Sequence, residues 1–337
     1  GSNFSTLIDL LAYNSYITSY NTNMTVNEAF LDSATVRENV IALARNIGYV
    51  PRSARASKAK VSFSVNTEGF LDVRTVTLKA GVVALGDVQA GSYIFSIPED
   101  ITVPVDTFGY AYFNDIPIWE GVFLTKSFSI NNSLSNQRFV LPNPSIDTTS
   151  IRVFVSETTT EEYKLYSNIL NIDSTSKIFL IQEVEDETYE LLFGDGVFGK
   201  RPLSGSAIFA SYIVTNGREG NGCARFNFTG ILQDNNENNI TTGISPLTTT
   251  QSSENGDSIE KIDSIKYLAP RVYSSQYRAV TANDYKGLIP YIFPNVESVS
   301  AYGGDEVDPP EYGKVFISVK PRQGKFISKI TKEQIKK

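Results

Sequence analysis

The chain has 337 residues, of which 41% are hydrophobic and 20% are charged, and its net charge is −7. This composition is typical of a globular protein with more than one domain, and the negative charge argues against nucleic-acid binding, which uses clustered Lys and Arg. There is no histidine and a single cysteine, Cys223, which excludes a Ser-His-Asp triad, a Cys-His pair, His-ligated zinc and an internal disulfide.

The N-terminal region predicts a first helix. Phe4, Leu7, Ile8 and Leu11 recur at helical spacing. The stretch from Asn14 to Asn23 is rich in Asn, Ser and Thr, which are poor residues for helix interiors, so this helix needs packing against other elements or other chains. No apolar run reaches the ~20 residues of a membrane helix, and no membrane insertion is expected.

A second helix is predicted after Ser33 or Thr35, either of which can cap it, and Gly48 is a suitable end. The incomplete apolar faces of the two helices are our candidates for contacts with other subunits. These candidate interface residues are Leu7, Ile8, Leu11, Phe30, Val36, Val40, Leu43 and Ile47.

From about residue 57 the hydrophobic period changes from helical to two, as in Val61, Phe63 and Val65. Short apolar runs separated by Gly, Pro and Asn/Asp turns follow, and they predict an antiparallel β-sandwich or a partly open barrel. The many Tyr and Phe residues of this region fit cross-strand packing. A sugar-binding surface is the alternative. The polar segments 233–239 and 248–257 predict a long loop or linker.

A glycine-rich loop separates two predicted strands, 189–193 and 207–214, and a rigid β-hairpin is the favoured interpretation. Residues 194–199 match G-x-G-x-x-G, and 194–200 match part of a P-loop motif. Neither motif is followed by the helix that would receive a phosphate, so a nucleotide site is disfavoured.

Two acidic segments are candidate sites. The acids between Glu183 and Glu190 could supply the carboxylate pair of a glycosidase, but alternation predicts an exposed strand face for Glu183, Glu185 and Glu187. The segment 304–311 lacks the spacing of a calcium loop. No metal and no cofactor are therefore expected.

The C-terminal region predicts an α+β unit. A helix is expected from Ser258 to Leu268, ending at Pro270, and a second, short helix capped by Thr281 and closed by Pro290. A strand follows at 315–319, and a last helix opens at Ser328 or Thr331 and stops with the chain, which suggests a fragment of a longer protein. The predicted class is α+β, predominantly β, with domains at 1–56, 57–255 and 256–337.

Three stretches have a recognisable pattern: Phe193-Gly194-Asp195-Gly196-Val197-Phe198-Gly199, then Gly217-Arg218-Glu219-Gly220-Asn221, and the octet that runs from Arg278 to Tyr285. They resemble the baseplate J-like proteins, and residues 9–53 resemble the wedge subunits of T-even-like phages. The signature residues carried by the resemblance are Phe193, Gly194, Asp195, Gly196, Phe198, Gly199, Gly217, Gly220, Asn221, Arg278, Ala279, Val280, Thr281, Asp284 and Tyr285.

The resemblance implies a structural subunit of a contractile-tail baseplate, which is located in the virion and assembled in the host cytoplasm. Such subunits contact themselves and other wedge proteins, link the wedges into a ring around the hub, and relay the change that triggers sheath contraction. No catalysis is implied, in agreement with the missing histidine. A carbohydrate-binding tail adhesin and a carboxylate-based glycosidase are the alternatives from other classes.

Overall fold

The computed structural model describes residues 3–70, 72–88, 91–131, 137–166, 172–276, 278–293, 296–322 and 332. The helices are α1 (Asn3–Glu28), α2 (Arg37–Asn46), α3 (Ile262–Ser275) and α4 (Ala282–Ile292). The strands are β1 (Lys58–Asn66), β2 (Thr75–Leu78), β3 (Gly81–Val88), β4 (Gly91–Ile97), β5 (Ile101–Pro104), β6 (Tyr110–Glu120), β7 (Val122–Ser129), β8 (Phe139–Leu141), β9 (Ile146–Ser156), β10 (Thr160–Leu165), β11 (Ile178–Glu183), β12 (Tyr189–Phe193), β13 (Ala207–Val214), β14 (Phe226–Phe228), β15 (Leu232–Asp234), β16 (Asn239–Ile240), β17 (Thr248–Glu254), β18 (Val296–Gly303) and β19 (Val315–Pro321). Within these residues, none of the helices combines the length and the hydropathy needed to cross a bilayer. The predicted class, mostly β with an N-terminal helical region and a C-terminal α+β unit, is confirmed.

The chain forms two compact units. Unit 1 contains Gly1–Arg52 and Glu260–Lys337, and unit 2 contains Ser53–Ile259. The chain therefore passes from one unit to the other between residues 52 and 53 and returns between residues 259 and 260. The N-terminal arm and the C-terminal segment share one hydrophobic cluster, which sequence periodicity alone does not indicate.

The core of unit 1 lies between α2, α3 and α4. Val40 and Ala44 of α2 pack with Leu268 and Val272 of α3 and with Leu288 of α4. Gly48 ends α2 as predicted: its φ is +82°, its N–H donates to Arg45 O, and Tyr49 N–H donates to Ala44 O. These two bonds form a Schellman motif, for which glycine is the preferred residue.

The start of α2 differs from the prediction. Its N-cap position is Val36, which makes no side-chain cap. Neither Ser33 nor Thr35 caps the helix. Instead the carboxylate of Glu28, the last residue of α1, accepts hydrogen bonds from the N–H groups of Thr35 and Val36.

The C-terminal helices also depart from the prediction at their prolines, and Pro290 lies inside α4 instead of closing it. Pro270 lies inside α3, because the helix continues to bury Val272 beyond it and that burial offsets the hydrogen bond that proline removes. Thr281 caps α4 as predicted, in a reciprocal capping box with Asp284. β18 and β19 form an antiparallel hairpin that confirms the predicted 315–319 strand. The predicted last helix at Ser328 or Thr331 lies outside the described residues.

In unit 2, a six-stranded sheet with the order β14-β3-β4-β6-β1-β17 faces a four-stranded sheet with the order β16-β15-β2-β5. Side chains from both sheets, such as Phe63 and Phe113 from the first and Leu78 and Leu232 from the second, form one cluster. Strand β1 alternates buried residues with half-buried ones after an exposed Lys58, in the predicted period of two. This half of unit 2 is a β-sandwich.

The second sheet system of unit 2 has seven strands in the order β7-β13-β9-β10-β11-β12-β8. All of its described pairs are antiparallel except β10 with β11. The sheet curls on itself, since the rings of Phe128 in β7 and Phe139 in β8, at its opposite edges, lie 5.7 Å apart. A partly open barrel is therefore present beside the sandwich.

Three local predictions in unit 2 are wrong. β12 and β13 flank the glycine loop but are not paired, because β12 pairs with β11 and β8 whereas β13 pairs with β7 and β9. Residues 248–254 form β17, which pairs with β1, instead of a linker. Residues 185–187 form a short 3₁₀ turn after β11, so Glu183, Glu185 and Glu187 do not share one strand face.

Candidate functional site

The glycine loop after β12 is a tight turn organised by Asp195. One carboxylate oxygen of Asp195 accepts the N–H groups of Val197 and Phe198, each at 2.8 Å. The Phe198 bond, followed by the Val197 bond, lowers the pKa of Asp195, because both stabilise the ionised form. These amides would be needed to hold a phosphate, and here they already bind Asp195.

At two positions of this loop, neighbouring atoms lie too close to leave room for a Cβ atom, so only glycine fits. A Cβ on Gly194 would lie 2.3 Å from the carbonyl carbon of Gly199, and a Cβ on Gly199 would lie 2.8 Å from Ile178. Gly196 and Gly199 both have positive φ, +95° and +84°. The loop is thus closed on itself by backbone contact, and side chains would force it open.

Neighbouring residues anchor the loop to the barrel. The ring of Phe193 contacts Phe139 and Tyr163 edge-on, with centroids 5.6 and 5.8 Å away. Lys200 Nζ binds Glu157 at 2.8 Å. The tip is exposed: Val197 is 81% accessible and Phe198 is about half as accessible.

The second signature stretch, Gly217 to Asn221, binds the segment after β17. The Asn221 side chain donates to Gly256 O at 2.9 Å and accepts from Gly256 N at 2.8 Å. Arg218 forms an ion pair with Asp257. Gly217 has φ +65°, and a Cβ there would lie 2.7 Å from the Asp257 carbonyl oxygen. This stretch therefore joins two distant parts of unit 2.

Glu120 lies beneath the same stretch and is fully buried. Its carboxylate accepts the Thr215 hydroxyl and, at 3.1 and 2.9 Å, the backbone and side-chain N–H groups of Asn216. Desolvation raises the pKa of Glu120, and the hydrogen bonds from Thr215 and Asn216 oppose this effect. Gly220 packs on its stem, where a Cβ would lie 2.4 Å from Glu120 Cγ. The glutamate completes a polar core.

The third signature stretch belongs to unit 1. Thr281 and Asp284 form the capping box of α4, and hydrogen bonds to the Thr281 backbone and side chain and the Val280 backbone lower the pKa of Asp284. Ala279 packs against the helical core. Arg278 and Val280 are exposed and Tyr285 is half-buried. The role visible here is to start a helix.

The contacts described above for the three signature stretches are structural. A groove of ≈ 240 Å³ lies beside the glycine loop, and Arg201 is the one charged residue among the described residues that line it. A glycosidase needs two carboxyl groups at such a place. Among the residues with described positions, no group of three or more Cys, Asp or Glu side chains could hold a metal ion.

The apolar surface of α1 is the other candidate site. Leu7, Ile8, Leu11 and Phe30 are all exposed. A second exposed stripe of α1, on the side of the helix about half a turn away, was not predicted. It contains Leu10, Tyr13, Tyr20 and Met24. The low charge of α1 could have indicated this second stripe, since Asp9 and Glu28 are the sole charged residues of this 26-residue helix.

The apolar face of α2 has a different role. Val40 has no exposed surface and packs in the core of unit 1, so its prediction as an intersubunit contact is wrong. Leu43 and Ile47 are partly buried against the same cluster, and Val36 is half-buried. The physical reason is that α3, which the sequence places more than 200 residues away, covers this face.

Two family models and one curated protein match this chain. Residues 130–217 match the family model described as bacteriophage baseplate wedge protein gp6, third domain, and residues 281–337 match baseplate structural protein gp6, C-terminal domain I. Baseplate wedge protein gp6 of Enterobacteria phage T4 is 25% identical over 354 residues, covering 100% of this chain and 52% of that protein.

A solved structure, the 6-fold symmetrised cryo-EM structure of the anti-feeding prophage (AFP) baseplate, contains a similar chain. The identity is 13% and the TM-score is 0.29, with 88% of this chain and 55% of that chain covered. The chain thus spans about half the length of the curated relative it matches. Two gp6 domains are matched in chain order, and the similarity to gp6 of phage T4 extends along the whole chain, so the chain resembles the gp6 family of phage baseplate wedge proteins.

Proposed function

We propose that the chain is a structural subunit of a contractile-tail baseplate wedge, located in the virion, which contacts a second copy of itself and other wedge proteins. In that role it joins wedges into a ring around the hub and relays conformational change toward the sheath. Neither a cofactor nor a nucleic acid takes part. The similarity to gp6 of phage T4 supports the assignment to a baseplate.

The observation that carries the proposal is the exposed apolar surface of α1. Its exposed large side chains are Phe4, Leu7, Ile8, Leu10, Leu11, Tyr13, Tyr16, Tyr20, Met24 and Val26. Monomeric proteins rarely leave so continuous an apolar surface in water. A helix that is apolar on two sides and almost uncharged is typical of one that packs between other helices.

The free energies of side-chain burial and of association support burial of the α1 side chains in an assembly. Full burial of one Leu, Phe or Met side chain stabilises by ~1.5–3 kcal/mol, whereas association of two proteins costs ~4–15 kcal/mol in lost freedom. Several side chains must therefore be buried together, which the length of α1 allows. Its Thr18, Thr22 and Thr25 hydroxyls already donate to carbonyls one turn earlier, so they need no further hydrogen-bond acceptor at an interface.

The experiment is sedimentation velocity on the chain and on a Leu11→Asp variant. We expect the unchanged chain to self-associate and the variant to shift toward monomer, since a carboxylate at an apolar contact is costly. Asn23→Asp, on the side of α1 between the two stripes, is the matched control and should associate normally. A wild-type chain that stays monomeric at high concentration, or equal association by Leu11→Asp, would contradict the proposal.

A further inference from the structure

The joint between α1 and α2 is built around the carboxylate of Glu28. Oε1 accepts the backbone N–H and the hydroxyl of Thr35, both at 2.7 Å. Oε2 accepts the N–H of Val36 at 3.2 Å and the side-chain N–H of Asn39 at 2.9 Å. A side chain of α1 thereby binds the first turn of α2 and the residues just before it.

This carboxylate does for α2 what the N3 side chain of a capping box usually does, because it accepts the backbone N–H of the N-cap residue, Val36. Helix N-termini leave N–H groups without intrahelical partners, and Val36 at the N-cap offers no side-chain acceptor. Negative charge is also favourable at this end of the helix dipole. Because the acceptor comes from the preceding helix, capping α2 simultaneously fixes the end of α1.

Apolar packing contributes little to the direction of α1. From Phe4 to Asn27 the side chains are exposed, apart from Ile17, which is half-buried. A groove of ≈ 470 Å³, lined by Met24, Thr25 and Glu28 of α1 and by Asn39 of α2, lies at the joint. The two helices are therefore not in close apolar contact along this groove, and Glu28 crosses it.

Other contacts hold the turn that follows α1. Ala34 is fully buried and Leu31 partly buried in the core of unit 1, and Lys266 Nζ donates to Asp32 O at 2.9 Å. Ser33 Oγ donates to Asn27 O at 2.6 Å. These bonds fix the position of the turn. The angle at which α1 leaves it depends on the last turn of α1, where Glu28 lies.

We propose that Glu28 is a positioning residue that holds α1 at one angle to α2, so that the apolar surface of α1 meets its partner in a single orientation. The role of the joint in association rests on the proposed function, whereas the hydrogen bonds of Glu28 are independent of it. A preformed orientation lowers the ordering cost of association, and it lets a movement of the partner helix be transmitted to the core of unit 1.

The test is a spin-label distance measurement on the full chain. Labels at Ser5→Cys in α1 and Arg45→Cys in α2 are suitable because both residues are exposed, and Ser5 lies about 35 Å along the helix from Glu28. Cys223, the one native cysteine, is buried and should stay unlabelled. An excess of unlabelled chain removes distances between copies. We expect one narrow distribution, which Glu28→Ala broadens and Glu28→Gln broadens less.

Glu38→Gln is the matched control, because it removes a carboxylate from the same first turn of α2 without touching the joint, and its distribution should stay narrow. A second variant separates capping from positioning: Val36→Ser in the Glu28→Ala background supplies a local cap to α2. The distribution should remain broad there. A narrow distribution in Glu28→Ala, or its return in the double variant, would overturn the proposal. Self-association is measured separately, so failure of the joint and failure of the proposed function are distinguishable.

Discussion

Asn221 binds Gly256 through both edges of its side-chain amide, donating to the carbonyl oxygen at 2.9 Å and accepting from the N–H at 2.8 Å. The side chain thus replaces a strand residue in pairing with the backbone of a segment 35 residues away. This contact suits asparagine, because its side-chain amide both donates and accepts in one plane.

Substitution of Asn221 should therefore weaken unit 2. We expect Asn221→Ala to lower the free energy of unfolding by about 1–3 kcal/mol, the usual cost of leaving part-buried polar groups unpaired. Asn221→Asp should cost at least as much, since its carboxylate cannot donate to the Gly256 carbonyl. Trp119, the single tryptophan, lies in β6, so its fluorescence during urea unfolding reports on unit 2. Asn227→Ala, at an exposed position of β14, should have little effect, and equal losses for both alanine variants would refute the role of Asn221.

The glycines of the loop after β12 should differ in their tolerance of alanine. Gly196→Ala places its Cβ in ordinary van der Waals contact, 3.8 Å from Arg201 Cβ, and costs about 1–2 kcal/mol for its left-handed φ. Gly194→Ala should cost more, because its Cβ would lie 2.3 Å from the backbone of Gly199 and the loop would have to open. The same fluorescence measurement gives the order of stability. A Gly194→Ala variant as stable as Gly196→Ala would show that the loop can open at little cost in free energy.

Substitution of Val40 should lower folding stability, whereas substitution of Leu11 should weaken self-association. Val40 has no exposed surface, so Val40→Ala should destabilise unit 1 by about 2–3 kcal/mol through lost burial and a cavity. Leu11→Ala should change folding stability by no more than about 0.5 kcal/mol, as expected at an exposed site, and should weaken self-association. Far-UV circular dichroism follows unit 1, which contains all four described helices. A stable Val40→Ala variant would argue against the internal core.

Local signals in the sequence were sufficient where the structure is itself local. The alternation of Val61, Phe63 and Val65 predicts β1, Gly48 predicts the end of α2, and Thr281 with Asp284 predicts the start of α4. Each of these features depends on residues within one turn or one strand. The composition of the glycine loop likewise indicated a tight turn without a helix after it.

Features that depend on distant residues were not predicted. Alternation identifies β13 as a strand but does not choose β7 and β9 as its partners, so a hairpin with β12 was the simplest assumption. The face of α2 that contains Val40 is covered by α3 from the far end of the chain. The acceptor that caps α2 is Glu28, eight residues before Val36, whereas cap rules examine the residue next to the helix.

The ionisation of Glu28 offers a direct check on the joint. The hydrogen bond from the Asn39 side chain, followed by those from Thr35, lowers the pKa of Glu28 from 4.5 to about 2. Because the folded pKa lies below that of the unfolded chain, the contribution of Glu28 to stability is complete above 4.5 and is lost as the pH falls through about 2. NMR titration of the side-chain carboxyl carbon, assigned with Glu28→Gln, should find the group still ionised between these two values. Asn39→Ala should move its midpoint upward, since the largest cause of the shift is removed. A wild-type midpoint near 4.5 would show that the carboxylate does not bind the start of α2, and the fixed angle of α1 would then need another explanation.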